Sequence, residues 1–117
     1  MTTPPRWTYV CRRDDIVPNT GVAAKVGQAQ VAVFRVVAPD GEDEAVFAIG
    51  NHDPRSGANV ISRGLVGDVG GELVVASPVY KNHFCLRTGR CLEDESWSVP
   101  AFQVQVSEDG LVLVREA

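Results

Sequence analysis

The chain has 117 residues, 44% hydrophobic and 22% charged, with a formal net charge of −4. A chain of this length forms one domain that buries roughly two-thirds of its unfolded surface, so it needs no metal or disulfide staple to fold. The acidic balance disfavours nucleic-acid and anionic-membrane partners. No apolar run reaches membrane-spanning length, and Met1-Thr2-Thr3-Pro4-Pro5 lacks the apolar core of an export signal, so a cytoplasmic protein is expected. Three cysteines, Cys11, Cys85 and Cys91, are then expected as free thiols.

Residues 1–5 read as a flexible N-terminal end, and 6–117 as a single domain. Arg6 to Arg12 alternates and is rich in β formers. It predicts a first strand with Trp7, Tyr9 and Cys11 on one face. Asp14 to Gly21 is turn-rich. Val22 to Val26 and Gln30 to Val37 predict two strands joined at Gly27. The second is nearly continuously apolar and should be buried on both faces. Ala38 to Glu44 reads as an acidic hairpin tip.

Ala45 to Ile49 predicts a strand that delivers the chain to a first Pro-bearing loop, Asn51-His52-Asp53-Pro54-Arg55-Ser56-Gly57-Ala58. Asn59 to Gly71 is Gly-rich and reads as irregular. Leu73 to Ala76 predicts a short strand leading to a second Pro-bearing loop, Ser77-Pro78-Val79-Tyr80. His83 to Leu86 and Arg90 to Leu92 flank a turn at Thr88-Gly89, with His83 and Cys85 sharing a strand face. Val99 to Val106 alternates, Ser107 to Gly110 is a hairpin loop, and Leu111 to Val114 is the last strand. Eight or nine short strands with no sustained helical period predict an all-β fold of antiparallel sheets, a sandwich or small barrel with little helix.

Unaided, the residues name no reaction. His52, His83 and the cysteines supply the right types for a zinc site, but not a recognised spacing. No nucleophile has a visible base and orienting partner, and no glycine-rich phosphate loop precedes a helix.

The frame around the two loops is more informative. Asn51-x-Asp53-Pro54-x-Ser56-Gly57-Ala58-Asn59-Val60, Ile61-Ser62-Arg63-Gly64-Leu65-Val66-Gly67-Asp68 and Val75-Ala76-Ser77-Pro78-Val79-Tyr80-Lys81-Asn82-His83-Phe84 occur in order, followed by an aromatic strand ending in Thr88-Gly89. Together they resemble a Rieske-type domain over nearly the whole chain. A Rieske centre binds two irons through two Cys and two His, in Cys-x-His and Cys-x-x-His loops. Those four positions fall here on Asp53, Arg55, Ser77 and Tyr80. Asp53 and Ser77 offer hard oxygens, Arg55 a fixed cation with no lone pair, and Tyr80 a high-pKa phenol. The ligands are absent, and no cofactor or metal is expected in this chain.

Among Rieske-like domains without ligands, the chain resembles the small subunit of assimilatory NAD(P)H-dependent nitrite reductase. That resemblance implies a non-catalytic partner of a large subunit that carries FAD, an iron–sulfur cluster and sirohaem and reduces nitrite to ammonia. It makes the loop rim, His52, Arg55, Tyr80, Lys81 and His83, with Asn82 beside it, a candidate interface with that subunit. A free-standing Rieske-like interaction domain and a Rieske-type ferredoxin electron carrier are the alternatives.

Overall fold

The computed structural model describes residues 6–39, 41 and 44–116. The expected loose end at 1–5 and most of the acidic tip around Gly41 lie outside the described residues. In chain order the strands are β1 (Trp7–Arg12), β2 (Thr20–Val26), β3 (Ala29–Val37), β4 (Glu44–Gly50), β5 (His52–Asp53) and β6 (Ala58–Asn59). They continue with β7 (Leu65–Val69), β8 (Glu72–Ala76), β9 (His83–Cys85), β10 (Ala101–Phe102), β11 (Val104–Val106) and β12 (Leu111–Arg115). Helix among the described residues is confined to three single 3-10 turns, Arg13–Asp15, Ile61–Arg63 and Glu95–Trp97.

Every strand pairing is antiparallel. Three sheets form the body, ordered β1-β12-β11, β10-β4-β3-β2 and β7-β8-β9, and β5-β6 is a separate small ribbon. The fold is all-β, as the spacing of the strands predicts.

β3 organises the interior. Val31, Ala32, Val33 and Phe34 are all fully buried. Because side chains alternate along a strand, they feed two different cores. Ala32 and Phe34 join Ile49, Ile61, Val75 and Phe84 on one side. Val31 and Val33 join Ile16, Val26, Ala48, Val112 and Val114 on the other. β4 does the same, with Ala48 and Ile49 on opposite sides. Each of the Val, Ile and Phe side chains contributes about 1.5–3 kcal/mol by leaving water, an upper figure because unfolded chains are partly collapsed.

Three expectations change. In β1 the register slips between Tyr9 and Cys11, so that Tyr9 faces Leu113 and Cys11 faces Val112. A bulge inserts one residue and re-phases the alternation. Cys11 therefore packs with Val10 against the second core, while Trp7 and Tyr9 stand 38% and 55% exposed on the other face. The stretch read as irregular contains β7, which pairs residue for residue with β8 through a turn at Gly70-Gly71, both with positive φ. Finally, the last long alternating segment is split: β10 pairs with β4, whereas β11 pairs with β12. The break at Gln103 lets one segment serve two sheets, and Phe102 and Val104 both still pack on the second core.

Candidate functional site

Both Pro-bearing loops emerge from the edge of the first core. Asn51, buried at the end of β4, fixes where the first begins. Its backbone N–H donates to Gln30 (2.9 Å), and its side-chain oxygen accepts from the Ser62 N–H (2.8 Å). The β5-β6 ribbon then pairs His52 with Asn59 and Asp53 with Ala58. Within it the Gly57 N–H donates to the Asp53 carbonyl (2.8 Å) at a positive φ of 75°. That conformation is open to glycine at no steric cost.

The second loop is cinched at its root. The Ser77 N–H donates to the Asn82 carbonyl (2.9 Å), and the Lys81 N–H donates to the Ser77 carbonyl (3.0 Å). Lys81 takes a left-handed φ of 60° to make the turn.

The four residues that the resemblance matches to cluster ligands meet across the loops in two pairs. The Ser77 hydroxyl donates to Asp53 Oδ2 at 2.6 Å. The Arg55 guanidinium lies 4.6 Å from the centroid of the Tyr80 ring and 4.9 Å from that of Trp97. If these four positions correspond to the Cys-x-His and Cys-x-x-His pattern, as the sequence resemblance implies, 53 and 77 would match the cysteines of one iron and 55 and 80 the histidines of the other, and each such pair touches directly here.

Asp53 is the centre of this arrangement. It is fully buried, and besides Ser77 it accepts from the Arg55 N–H (3.0 Å) and the Asn82 side-chain amide (3.3 Å). Burial alone pushes its carboxyl up. Hydrogen bonds from Ser77, the Arg55 backbone, Asn82 and Ser56 outweigh that and hold it below the ordinary carboxylate value. Asp53 is thus a charged group that ties two loops together by donors alone.

These residues do not fit an iron–sulfur cluster. Oxygen replaces soft sulfur at 53 and 77, a cation replaces a lone-pair donor at 55, and the 2.6 Å contact closes the space between the loops. Among the described residues, no group of three or more His, Cys, Asp or Glu is placed to hold a metal ion. Cys85 and Cys91 are buried free thiols and Cys11 is half-buried.

The structure separates the rim residues. His52, Arg55, Tyr80 and Lys81 are exposed. His83 is half-buried and bound to Glu93: its backbone N–H donates to Oε1 (2.6 Å), and its ring lies 2.7 Å from Oε2. Burial raises the Glu93 carboxyl, but the His83 contacts hold it below its usual range. The His52 ring meets Asn59 Oδ1 at 3.0 Å. Asn82, read as a rim residue, is 1% exposed and belongs to the buried network under the rim. Trp97, which completes the stack on Arg55, carries no signal in the sequence, because 42 residues separate it from its partner.

With this geometry in view, the likeness to known proteins is specific. A profile for the Rieske-like [2Fe-2S] domain matches residues 6–115. The nitrite reductase (NADH) small subunit of Escherichia coli K12 is 47% identical over 110 residues, covering 94% of this chain and 97% of that one. A crystal structure of a chain assigned as an NADH-dependent nitrite reductase small subunit from Mycobacterium tuberculosis superposes with a TM-score of 0.87 at 41% identity, covering 98% of each chain. The Klebsiella oxytoca nitrite reductase [NAD(P)H] large subunit is 42% identical over 108 residues, which are 92% of this chain and only 11% of that one. The chain belongs to the Rieske-like domains, and among them to the family of NAD(P)H-dependent nitrite reductase small subunits.

Proposed function

We propose that this chain is the non-catalytic small subunit of a cytoplasmic nitrite reductase [NAD(P)H], and that it acts by docking the rim of its two loops on the large subunit. The reaction it serves is the reduction of nitrite to ammonia, with the FAD, iron–sulfur cluster and sirohaem carried by the large subunit. The observation that carries this reading is the near-complete, end-to-end likeness to nitrite reductase small subunits, combined with ligand positions that are joined to one another by Asp53–Ser77 and Arg55–Tyr80.

The occurrence of the same domain as 11% of a chain named a large subunit supports an obligate working contact between the two parts. His52, Arg55, Tyr80, Lys81 and His83 supply a rim of the aromatic and cationic types that concentrate binding energy at contacts. An electron-carrying role would need a cluster that Asp53, Arg55, Ser77 and Tyr80 do not fit. Coexpression with the large subunit tests the proposal. Complex formation and faster or longer-lived NADH-dependent nitrite reduction are expected, and identical activity, stability and sedimentation with and without this chain would overturn it.

A further inference from the structure

Four of the eight large apolar side chains exposed among the described residues are Leu65, Val69, Val79 and Tyr80, all in β7 or the second loop. Single exposed apolar residues need no explanation, but a contiguous set does. Leu65 is the most exposed of the eight, at 77%. It pairs with Ala76, the residue immediately before Ser77. Gly64 approaches the same point so closely that a Cβ there would sit 2.3 Å from the Ala76 carbonyl oxygen. Arg63-Gly64-Leu65 is therefore pressed against the root of the second loop, whose tip carries Val79 at 48% and Tyr80 at 53% exposure.

The outward face of β7 is abnormal for a solvated strand. Val66 packs on the first core, so the alternate residues Leu65, Gly67 and Val69 face out, with no polar side chain among them. The solvated side of an antiparallel sheet is ordinarily polar. β7 is also an edge strand, and edges are ordinarily guarded by Lys, Pro or a bulge. It has none of these, and its register with β8 is unbroken. Its one charge, Asp68, is turned into its own hairpin, where it accepts from the Gly71 N–H at 2.9 Å. Around the apolar set stand three exposed cations, Arg55, Arg63 and Lys81, on a chain whose net charge is −4. Two acidic residues at its margins are already paired: Glu93, on the His83 side, with that histidine, and Glu72, opposite Val69, with Arg90 (3.5 Å).

We infer that the outward side of β7 and the second loop form one docking face for the large subunit, anchored by Leu65, and that the surface covering it is apolar at its centre and acidic around it. The inference rests on the subunit reading above and adds to it a third segment, residues 63–69, outside both loops. Two features select the occupant. The face is continuous with the loop rim, and its positive border on an acidic protein calls for a negative counterpart.

The test is the affinity of purified, cofactor-loaded large subunit for wild type, Leu65→Asp, Leu65→Ser and Val106→Asp, by calorimetry. Val106 is also an exposed apolar strand residue, at 36%, but lies on β11 in the β1-β12-β11 sheet, which β7 does not join. Leu65→Asp should weaken binding by about tenfold or more and Leu65→Ser by less, as for a truncated apolar anchor. Val106→Asp should bind as wild type, and all thermal midpoints should stay together because both sites are solvated. Wild-type binding that Leu65→Asp leaves unchanged overturns the face and spares the subunit reading. Absence of any wild-type complex overturns both.

Discussion

The Ser77 hydroxyl donates a 2.6 Å hydrogen bond to Asp53 across 24 residues of chain, with both side chains out of water. This contact joins the two loops directly, and it makes Asp53 the acceptor on which both loops depend. Asp53→Ala would leave Ser77, the Arg55 N–H and the Asn82 amide without their acceptor. Each buried group left unpaired costs about 1–3 kcal/mol. Urea unfolding should show Asp53→Ala losing clearly more stability than Ser77→Ala, which removes one donor to Asp53 and a long 3.4 Å acceptor for the Val79 N–H. Equal losses would mean that the network does not converge on Asp53.

The same carboxylate sets a pH dependence. Its pKa in the folded protein is lowered, by hydrogen bonds that outweigh the opposing effect of burial. Its contribution is therefore fully present above the unfolded value of about 3.9 and is lost as pH falls through the lower folded value. Asp53→Asn does not titrate at this position, and both proteins keep the Glu93–His83 pair. The stability gap between wild type and Asp53→Asn should be widest near neutral pH and narrow once pH drops below about 4. Urea midpoints of the two proteins over that range check it, and a gap constant with pH would contradict the charged state of Asp53.

Arg55 links the loops a second time, through its stack between Tyr80 and Trp97. The stack is exposed, so its worth is modest, about 0.5–1 kcal/mol. Arg55→Ala should lower stability by no more than this while shifting Trp97 emission, because the indole loses the cation on its face. Arg55→Lys should restore part of the stability. Trp7 supplies a constant background, and a spectrum unchanged by Arg55→Ala would rule the stack out in solution.

How much of this was legible follows from which contacts are local. The run Val31 to Phe34 declares a strand buried on both sides, because no polar residue interrupts it. Asp53, Arg55, Ser77 and Tyr80 could be placed by the motif frame, but their pairing could not, since it depends on how two loops approach in space. Asparagine beside an exposed lysine reads as surface, which puts Asn82 on the rim. Its amide turns inward instead, where Asp53 needs a donor. β7 was hidden by Gly64, Gly67, Gly70 and Gly71, whose composition suggests a loop. Its strand character comes from pairing with β8, a tertiary effect that overrides local propensity. The bulge in β1 leaves no mark in an alternating sequence, so alternation alone puts Cys11 on the face of Trp7 and Tyr9.

Gly64 tests the join between β7 and the second loop. Its backbone is ordinary, so glycine is needed there for space alone: a Cβ would lie 2.3 Å from the Ala76 carbonyl oxygen and 2.6 Å from Val75 Cγ2. Neither neighbour can yield easily, since Val75 is fully buried in the first core. Gly64→Ala should therefore cost about 1–3 kcal/mol by overpacking. Gly67→Ala, with open space around its Cβ site, should be nearly neutral. Similar melting curves for the two variants would mean that β7 is not seated against the loop root as described.

The last prediction concerns the frame itself. If loop geometry is that of a Rieske centre with its ligands replaced, restoring the ligand types should restore metal binding. Asp53→Cys, Arg55→His, Ser77→Cys and Tyr80→His together recreate two thiolates for one iron and two imidazoles for the other. The substitutions also remove the Asp53–Ser77 hydrogen bond that closes the space. On anaerobic reconstitution with iron and sulfide, the fourfold variant should acquire visible absorption that the wild type does not, and Asp53→Cys with Ser77→Cys alone should hold iron weakly if at all. A colourless fourfold variant that is still folded, with an intact far-ultraviolet spectrum and a cooperative melt, would show that the loops have drifted from the ligating geometry and that Asp53–Ser77 is a new contact, not a replacement for the old one.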